Sequence, residues 1–311
     1  MRILMLGAGA TGGYFGGRLL QHGRDVTFLV RERRARQLAQ YGLIIRSSTG
    51  DVDLHAPPTL TASDLREPFD LIVLSCKAYG LEQAISDIAP AVGPSTVILP
   101  LLNGMRHLSL LDARFGAEHV LGGQCIIAAT LDNQGAIRHL NQSHSLTYGE
   151  RDGSRFKRMQ RITENLADAG FDARPSTHVI QDMWDKWVFL ASLAGITCLM
   201  RGSIGAIEAA PGGGQAAQAL FDECCAVAKH GGYALSDSAL TRARGVLTET
   251  GSTLTASMLR DLLHGHAIEA DHIIGDMLAR ADRCGELSPM LRMVHANLKV
   301  YESTRASAPA S

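Results

Sequence analysis

Cysteine is sparse and unpatterned in this 311-residue chain, with six residues at positions 76, 125, 198, 224, 225 and 284. None falls in a CxxC pair or another metal-ligand spacing, and the adjacent Cys224 and Cys225 are poorly placed to bridge each other. A disulfide framework and a structural metal site are therefore not expected; reduced thiols in a cytoplasmic protein are. Long hydrophobic runs are lacking as well. The longest uncharged apolar stretch, Trp187–Met200, is broken by Ser192, Gly195 and Thr197. It falls short of the roughly 20 residues that a membrane span needs, so it reads as a core helix and no membrane partner is expected. An excess of one charge is also missing. Lys and Arg total 30 against 31 Asp and Glu, a net charge of −1, which offers no basic face to nucleic acid. A strand-like run begins at Arg2, so no leader segment is expected.

What is present is enough apolar sequence, 46%, for two cores in a chain too long for one. The first half alternates strand and helix signals. Arg2–Leu6, Asp25–Val30, Leu71–Cys76 and Thr96–Leu102 are short apolar runs, and Ala10–Gln21 is a helix ended by Gly23. Continuous apolar strands between helices predict a parallel sheet covered on both faces. Cys125–Leu131, Ala136–Leu140 and Ser145–Tyr148 predict antiparallel strands added at one edge of that sheet. Beyond Ser176 the signals are helical, over 181–200, 214–230, 238–250, 253–263, 268–284 and 289–301. The expected organisation is an α/β domain over 1–176, an all-α domain over 177–302 and a small, Pro-containing, disordered tail over 303–311.

Gly7-Ala8-Gly9-Ala10-Thr11-Gly12 directly follows the first strand and opens the first helix. In that setting the string is a dinucleotide-binding turn. Gly7 makes the turn, Gly9 lets a pyrophosphate approach the backbone, and Gly12 lets the helix pack against the sheet. The end of the second strand selects the dinucleotide. A carboxylate there would bind a ribose 2′-hydroxyl, whereas this chain offers Arg31, suited to a 2′-phosphate. NADPH/NADP+ is the expected cofactor.

The stretch from Leu6 to Leu19 resembles the opening of the ketopantoate reductase (2-dehydropantoate 2-reductase) family. The same holds for Ser75-Cys76-Lys77-Ala78-Tyr79, Leu102-Asn103-Gly104-Met105, Trp184-Asp185-Lys186, Ser257-Met258-Leu259-Arg260-Asp261 and Glu269-Ala270-Asp271. The resemblance implies a Rossmann-type domain followed by helices of the 6-phosphogluconate-dehydrogenase kind, reduction of a 2-oxo acid to the 2-hydroxy acid, and a possible homodimer. It implies that Lys77 and Asn103 contact the cofactor, Asn103 reaching the substrate too, and that Ala129 lines the cofactor cleft. Lys186 would donate the proton, Ser257 would touch the substrate, and Glu269 would be a cleft carboxylate near the nicotinamide. Chemistry agrees with this: hydride addition to a ketone leaves an alkoxide, which an ammonium can stabilise and then protonate.

The resemblance breaks on one helical face. Positions 190 and 194 follow Lys186 at one-turn intervals and carry substrate-binding asparagines in the family, but here they are Leu190 and Ala194. The expected pocket beside Lys186 is therefore drier. Two alternatives to a ketopantoate reductase follow: a related NADP-dependent dehydrogenase with a less polar substrate, and a non-catalytic NADP(H) sensor. His264, His266 and His272 flank Glu269 without ligand spacing and read as a solvated helix end.

Overall fold

The computed structural model describes residues 1–307. They form two compact units: 1–102 with 107–180, and 103–106 with the chain from Gln181 on. The division falls at Ile180/Gln181 rather than at Ser176, and the short segment Asn103–Arg106, expected in the first domain, belongs to the second unit.

In the first unit the chain runs β1 (Arg2–Leu6), α1 (Ala10–Gln21), β2 (Asp25–Leu29), α2 (Glu32–Tyr41), β3 (Leu43–Arg46), β4 (Val52–Leu54), β5 (Thr59–Leu60), β6 (Leu71–Leu74), α3 (Leu81–Ile88) and β7 (Val97–Pro100). It continues through α4 (Arg106–Phe115, its first residue in the second unit), β8 (Gly122–Leu131), β9 (Ile137–Gly149), α5 (Lys157–Leu166) and β10 (Asp172–Pro175). One sheet has the order β5-β2-β1-β6-β7 and is parallel throughout. Ile3, Leu4, Met5 and Leu71–Leu74 are buried, as strands covered on both faces must be. Helix α1 contains four glycines, each costing about 1 kcal/mol of helix propensity relative to alanine. Packing compensates: a Cβ on Gly16 would lie 2.6 Å from the Phe28 ring, and one on Gly17 2.7 Å from Leu43 Cδ2.

The later strands do not extend that sheet. They form a second one, β10-β9-β3-β4, with β8 antiparallel to β9. Among the described residues, an isolated bridge, Ile98 to Val120, links β7 to the approach of β8. Two of the expected strands belong to a single one, β9, whose residues 140–143 bulge opposite Ala128, where its pairing with β8 shifts register. The polar residues among them read as a turn, but Asn141, Gln142 and Ser143 are solvent-exposed strand residues. The ribbon reverses instead at Asp132–Gly135, where Asp132 Oδ1 accepts from the Gln134 and Ala136 amides at 3.0 and 2.9 Å.

The second unit is helical: α6 (Val179–Met200, its first two residues in the first unit), α7 (Ile204–Ala209), α8 (Gly213–His230), α9 (Asp237–Leu247), α10 (Ser257–Leu263), α11 (Asp276–Cys284) and α12 (Pro289–Ser307). The helix expected over 268–284 enters α11 through a π-helical turn, Asp271–Gly275. Among the described residues, α6 is the one helix long and apolar enough to cross a membrane, and 67% of its most apolar window is buried. Its buried hydroxyls are satisfied within the helix, Ser192 Oγ donating to Val188 O at 2.8 Å and Thr197 Oγ1 to Leu193 O at 2.6 Å. The expected disorder from Ser303 is not found as far as Ser307. Tyr301 Oη donates to His266 O at 2.7 Å and Arg305 Nε to Gly265 O at 2.8 Å, and these bonds fix the end of α12. Residues 308–311 lie outside the described residues.

Candidate active site

The glycine-rich turn opens a cavity of about 620 Å³ in the first unit, bordered among others by Gly7, Gly9, Arg31, Arg34, Cys76 and Lys77. Gly7 turns the chain at φ +94°, and its amide donates to Leu29 O at 2.9 Å. Gly9 caps α1 in an extended conformation with no side-chain cap. The first-turn amides, at Ala10, Thr11 and Gly12, therefore have no partner within the helix and present a partial positive charge. A Cβ on Gly12 would sit 2.0 Å from Ser75 Oγ, which itself donates to Leu6 O at 2.8 Å; a Cβ on Gly9 would meet nothing within 4 Å. The turn is thus closed on the sheet side at Gly12 and open at Gly9, where an anion would approach.

Arg31 caps α2 and is exposed. Glu32, also at the cavity, lies 3.5 Å from Arg36, and both side chains are solvated. Arg34 was not anticipated as a site residue. Its Nε donates to Ala8 O at 3.0 Å, and its Nη1 donates to Gln37 Oε1 at 2.6 Å and Gly135 O at 3.1 Å. Nη2 is buried without an acceptor. Burial pushes the guanidinium below its ordinary range, and no carboxylate shares in the shift. A partly buried cation balanced only by neutral acceptors is costly, and a phosphate in the cavity would relieve that cost. Together with the open position at Gly9, this makes the cavity a fit for the phosphates of a dinucleotide. The signal for Arg34 lay in the sequence as one more basic residue of the 31–36 run, but only the fold distinguishes it from Arg33 and Arg36. Lys77 borders the same cavity and is exposed. Ala129 does not border it. That residue lies in β8 opposite His139, packed on the core of the first unit, and Leu131, two residues on, borders the cavity instead.

In the second unit, Lys186 Nζ donates to Asn103 Oδ1 at 3.0 Å. Asn103 therefore stands with the proposed proton donor and not within the dinucleotide unit. The turn of α6 that carries Lys186 is held by aromatic packing. Trp187 is buried and donates from Nε1 to Ile273 O at 3.0 Å. The Arg280 guanidinium stands 5.3 and 5.2 Å from the centres of the Trp184 and Trp187 rings, with Asp276 at 3.1 Å. Glu269 is buried just before the π turn, and its carbonyl accepts from Ile273 N at 3.0 Å. His272, read from sequence as part of a solvated helix end, is buried instead, and its ring donates to the Asn103 main-chain carbonyl.

Leu190 is half-buried one turn beyond Lys186. Ala194, a turn further, has no exposed surface and offers nothing to a ligand, because α6 sinks into its own core there. The expected substrate contact at Ala194 is thus replaced by packing. Ser257 is the exposed first residue of α10. Among the described residues no group of three or more His, Cys, Asp or Glu side chains could hold a metal ion, and the six cysteines are free thiols.

A parallel sheet with a glycine-rich dinucleotide turn, followed by helices that carry a paired lysine, describes a nicotinamide-dependent oxidoreductase. The family described as ketopantoate reductase PanE/ApbA matches residues 3–153, and its C-terminal counterpart matches residues 178–302. The chain belongs to the ketopantoate reductase family. It is 39% identical to the uncharacterized oxidoreductase YkpB of Bacillus subtilis, over 98% of this chain and 100% of that protein. The crystal structure of 2-dehydropantoate 2-reductase from Geobacter metallireducens superposes with a TM-score of 0.88 at 26% identity, covering 96% of this chain and 99% of its own. A ternary complex of D-mandelate dehydrogenase with NADH and anilino(oxo)acetate shares the fold, with a TM-score of 0.88 at 21% identity over 98% and 100% of the two chains.

Proposed function

We propose that this oxidoreductase uses NADPH to reduce the carbonyl of a 2-oxo acid to the 2-hydroxy acid, with Lys186 as the proton donor. The observation that carries the reading is the hydrogen bond from Lys186 Nζ to Asn103 Oδ1 at 3.0 Å. It sets an ammonium donor against a side-chain amide oxygen, where a sensor would need no such group. The bound nicotinamide would supply the hydride. Lys186 would stabilise the alkoxide oxygen as its charge grows and then hand it a proton, and Asn103 would hold the ammonium meanwhile. Glu269, buried in the same unit, would supply the negative charge that keeps a cationic site affordable. Lys186→Ala is expected to slow turnover by about 10²–10⁴-fold while leaving NADPH binding intact. A variant with near-parental kcat would remove Lys186 from the chemistry.

Leu190 favours a substrate less polar than ketopantoate. A half-buried leucine one turn from the donor cannot pair with a hydroxyl, and each buried polar group left unpaired costs about 1–3 kcal/mol. The fold also serves a D-mandelate dehydrogenase, whose substrate presents a phenyl group. A spectrophotometric panel of aliphatic, hydroxylated and aryl 2-oxo acids, each run with NADPH and with NADH, tests both halves of the proposal. Apolar 2-oxo acids with NADPH should give the highest kcat/KM. A kcat/KM for ketopantoate of about 10⁵ M⁻¹s⁻¹ or more, within the range of competent enzymes, would overturn the apolar preference.

A further inference from the structure

The π-helical turn Asp271–Gly275 bonds to Trp187, next to Lys186, and packs against Gly104, next to Asn103. A π turn widens the helix by one residue and leaves its main-chain groups irregularly bonded. Here the Ile273 carbonyl is taken by Trp187 Nε1 at 3.0 Å, and Trp187 is the immediate neighbour of Lys186. On the other side the turn meets Asn103 and Gly104. A Cβ on Gly104, whose φ is +78°, would lie 2.9 Å from His272 O and 3.2 Å from His272 Cδ2, so only glycine allows that approach. The His272 ring, 6% exposed, donates to the Asn103 carbonyl, while the Asn103 side chain accepts from Lys186.

We infer that His272 is a positioning residue, fixing the Asn103 backbone so that its side-chain oxygen holds Lys186 in the donating geometry. The inference rests on the reading of Lys186 as proton donor. A leucine at 272 would fill the same core without the cost of burying an imidazole, so packing alone does not account for a histidine beside the Asn103–Gly104 backbone. Its titration is set by the groups around it. Burial lowers its pKa most, Glu269 and Asp276 raise it, Arg106 lowers it, and the bond to Asn103 raises it, for a net shift downward. The shift favours the neutral ring, which carries a single N–H. Acid adds a second N–H and a charge to the turn.

The test uses the full-length protein as His272→Leu, His272→Gln and Lys186→Ala, assayed with NADPH and the best 2-oxo acid of the panel. His272→Leu should lower kcat about 10–100-fold, the scale of a slightly misplaced catalytic group, with KM for NADPH unchanged. His272→Gln keeps an N–H donor and should recover most of kcat while losing the parent's decline in activity on the acid side of the ordinary histidine range. A second readout needs no substrate. Lysine labelled with ¹³C at Cε gives signals from only five residues, and Lys186 is the one missing in Lys186→Ala. His272→Leu should shift that signal and leave the other four in place. If Lys186→Ala is slow but His272→Leu keeps parental kcat and an unmoved Lys186 signal, the positioning role is overturned and the donor stands. If Lys186→Ala is itself fast, the donor reading fails instead. Should His272→Leu not fold, an acid limb in His272→Gln identical to the parent's overturns the inference.

Discussion

A Cβ built on Gly9 meets no atom within 4 Å, whereas one on Gly12 falls 2.0 Å from Ser75 Oγ and 2.3 Å from the Gly7 carbonyl oxygen. The first residue leaves room for a ligand and the second for the protein itself. Gly9→Ala, with φ −80° and ψ −165° at that position, should fold with the parental Tm yet lose NADPH affinity by tenfold or more, the equivalent of about 1.4 kcal/mol. Gly12→Ala should lose stability outright, since neither the serine nor the carbonyl can give way cheaply. Thermal melts with and without NADPH separate the two; equal melting losses would refute the division of labour. On the NADPH reading, Arg31 and Arg34 would divide the phosphate in a similar way. Charge-assisted hydrogen bonds are worth about 1.5–3 kcal/mol, so either alanine variant should erode a tenfold to hundredfold preference for NADPH over NADH. Only Arg34→Ala should also lower Tm, because Arg34 ties Ala8 and Gly135 to α2. Equal kcat/KM for the two cofactors in the parent would refute the NADPH reading. The glycines and Arg31 were legible because their chemistry is local to one strand–turn–helix unit. Arg34 and His272 were not, since an arginine among arginines and a histidine among histidines gain meaning only from what buries them.

At the scale of elements, α6 decides which of two substitutions can be made. Leu190 is half-buried and Ala194 has no exposed surface, though both lie on the face that follows Lys186. Leu190→Asn should raise kcat/KM for ketopantoate with a modest loss of Tm. Ala194→Asn should instead cost about 1–3 kcal/mol from overpacking, and more for an amide buried without partners. Chemical denaturation reads both, and an Ala194→Asn as stable as the parent would show that this part of α6 is not the core it is described as. The existence of α1, α6, α8 and the parallel strands β1, β2, β6 and β7 was legible from apolar patterning, whereas the two-residue β5 was not. The interruption expected between Leu140 and Ser145 is a bulge within β9 rather than a turn between two strands, and its polar residues carry no sign of which. The π turn was invisible, since one extra residue per turn leaves no mark on a sequence whose apolar positions still fall on one face.

Across the whole molecule, thiols and histidines report on burial. Burial pushes Cys198, Cys224 and Cys225 up to about 12, so these thiols should resist alkylation at pH 8 in the folded protein. Cys284 is exposed, while Cys76 is half-buried at the border of the dinucleotide cavity. Cys76 should therefore be the thiol that NADPH protects, and mass spectrometry of iodoacetamide-labelled peptides would show whether protection falls elsewhere. His144 and His272 both lie below the ordinary histidine value of 6.5, chiefly through burial. The unfolded chain takes up their protons first as the pH falls, so stability should drop as pH falls below 6.5 and level off once the folded-state values are passed. His144→Gln and His272→Gln should each flatten that slope of Tm against pH; a slope unchanged in both would assign the acid sensitivity to carboxylates.

Four residues, Asn103–Arg106, belong to the helical unit although they are encoded in the middle of the dinucleotide unit. For recombination between relatives this means that no single crossover separates the two halves of the enzyme. A hybrid gene joining codons 1–180 of one family member to the remainder of another inherits its lysine from one parent and the asparagine that holds it from the other. Such hybrids should bind NADPH as the first parent does, because every residue bordering the cavity descends from that parent, and yet turn over slowly. Exchanging codons 103–106 along with the helical half should restore the rate, so that the unit of inheritance for catalysis is a split one.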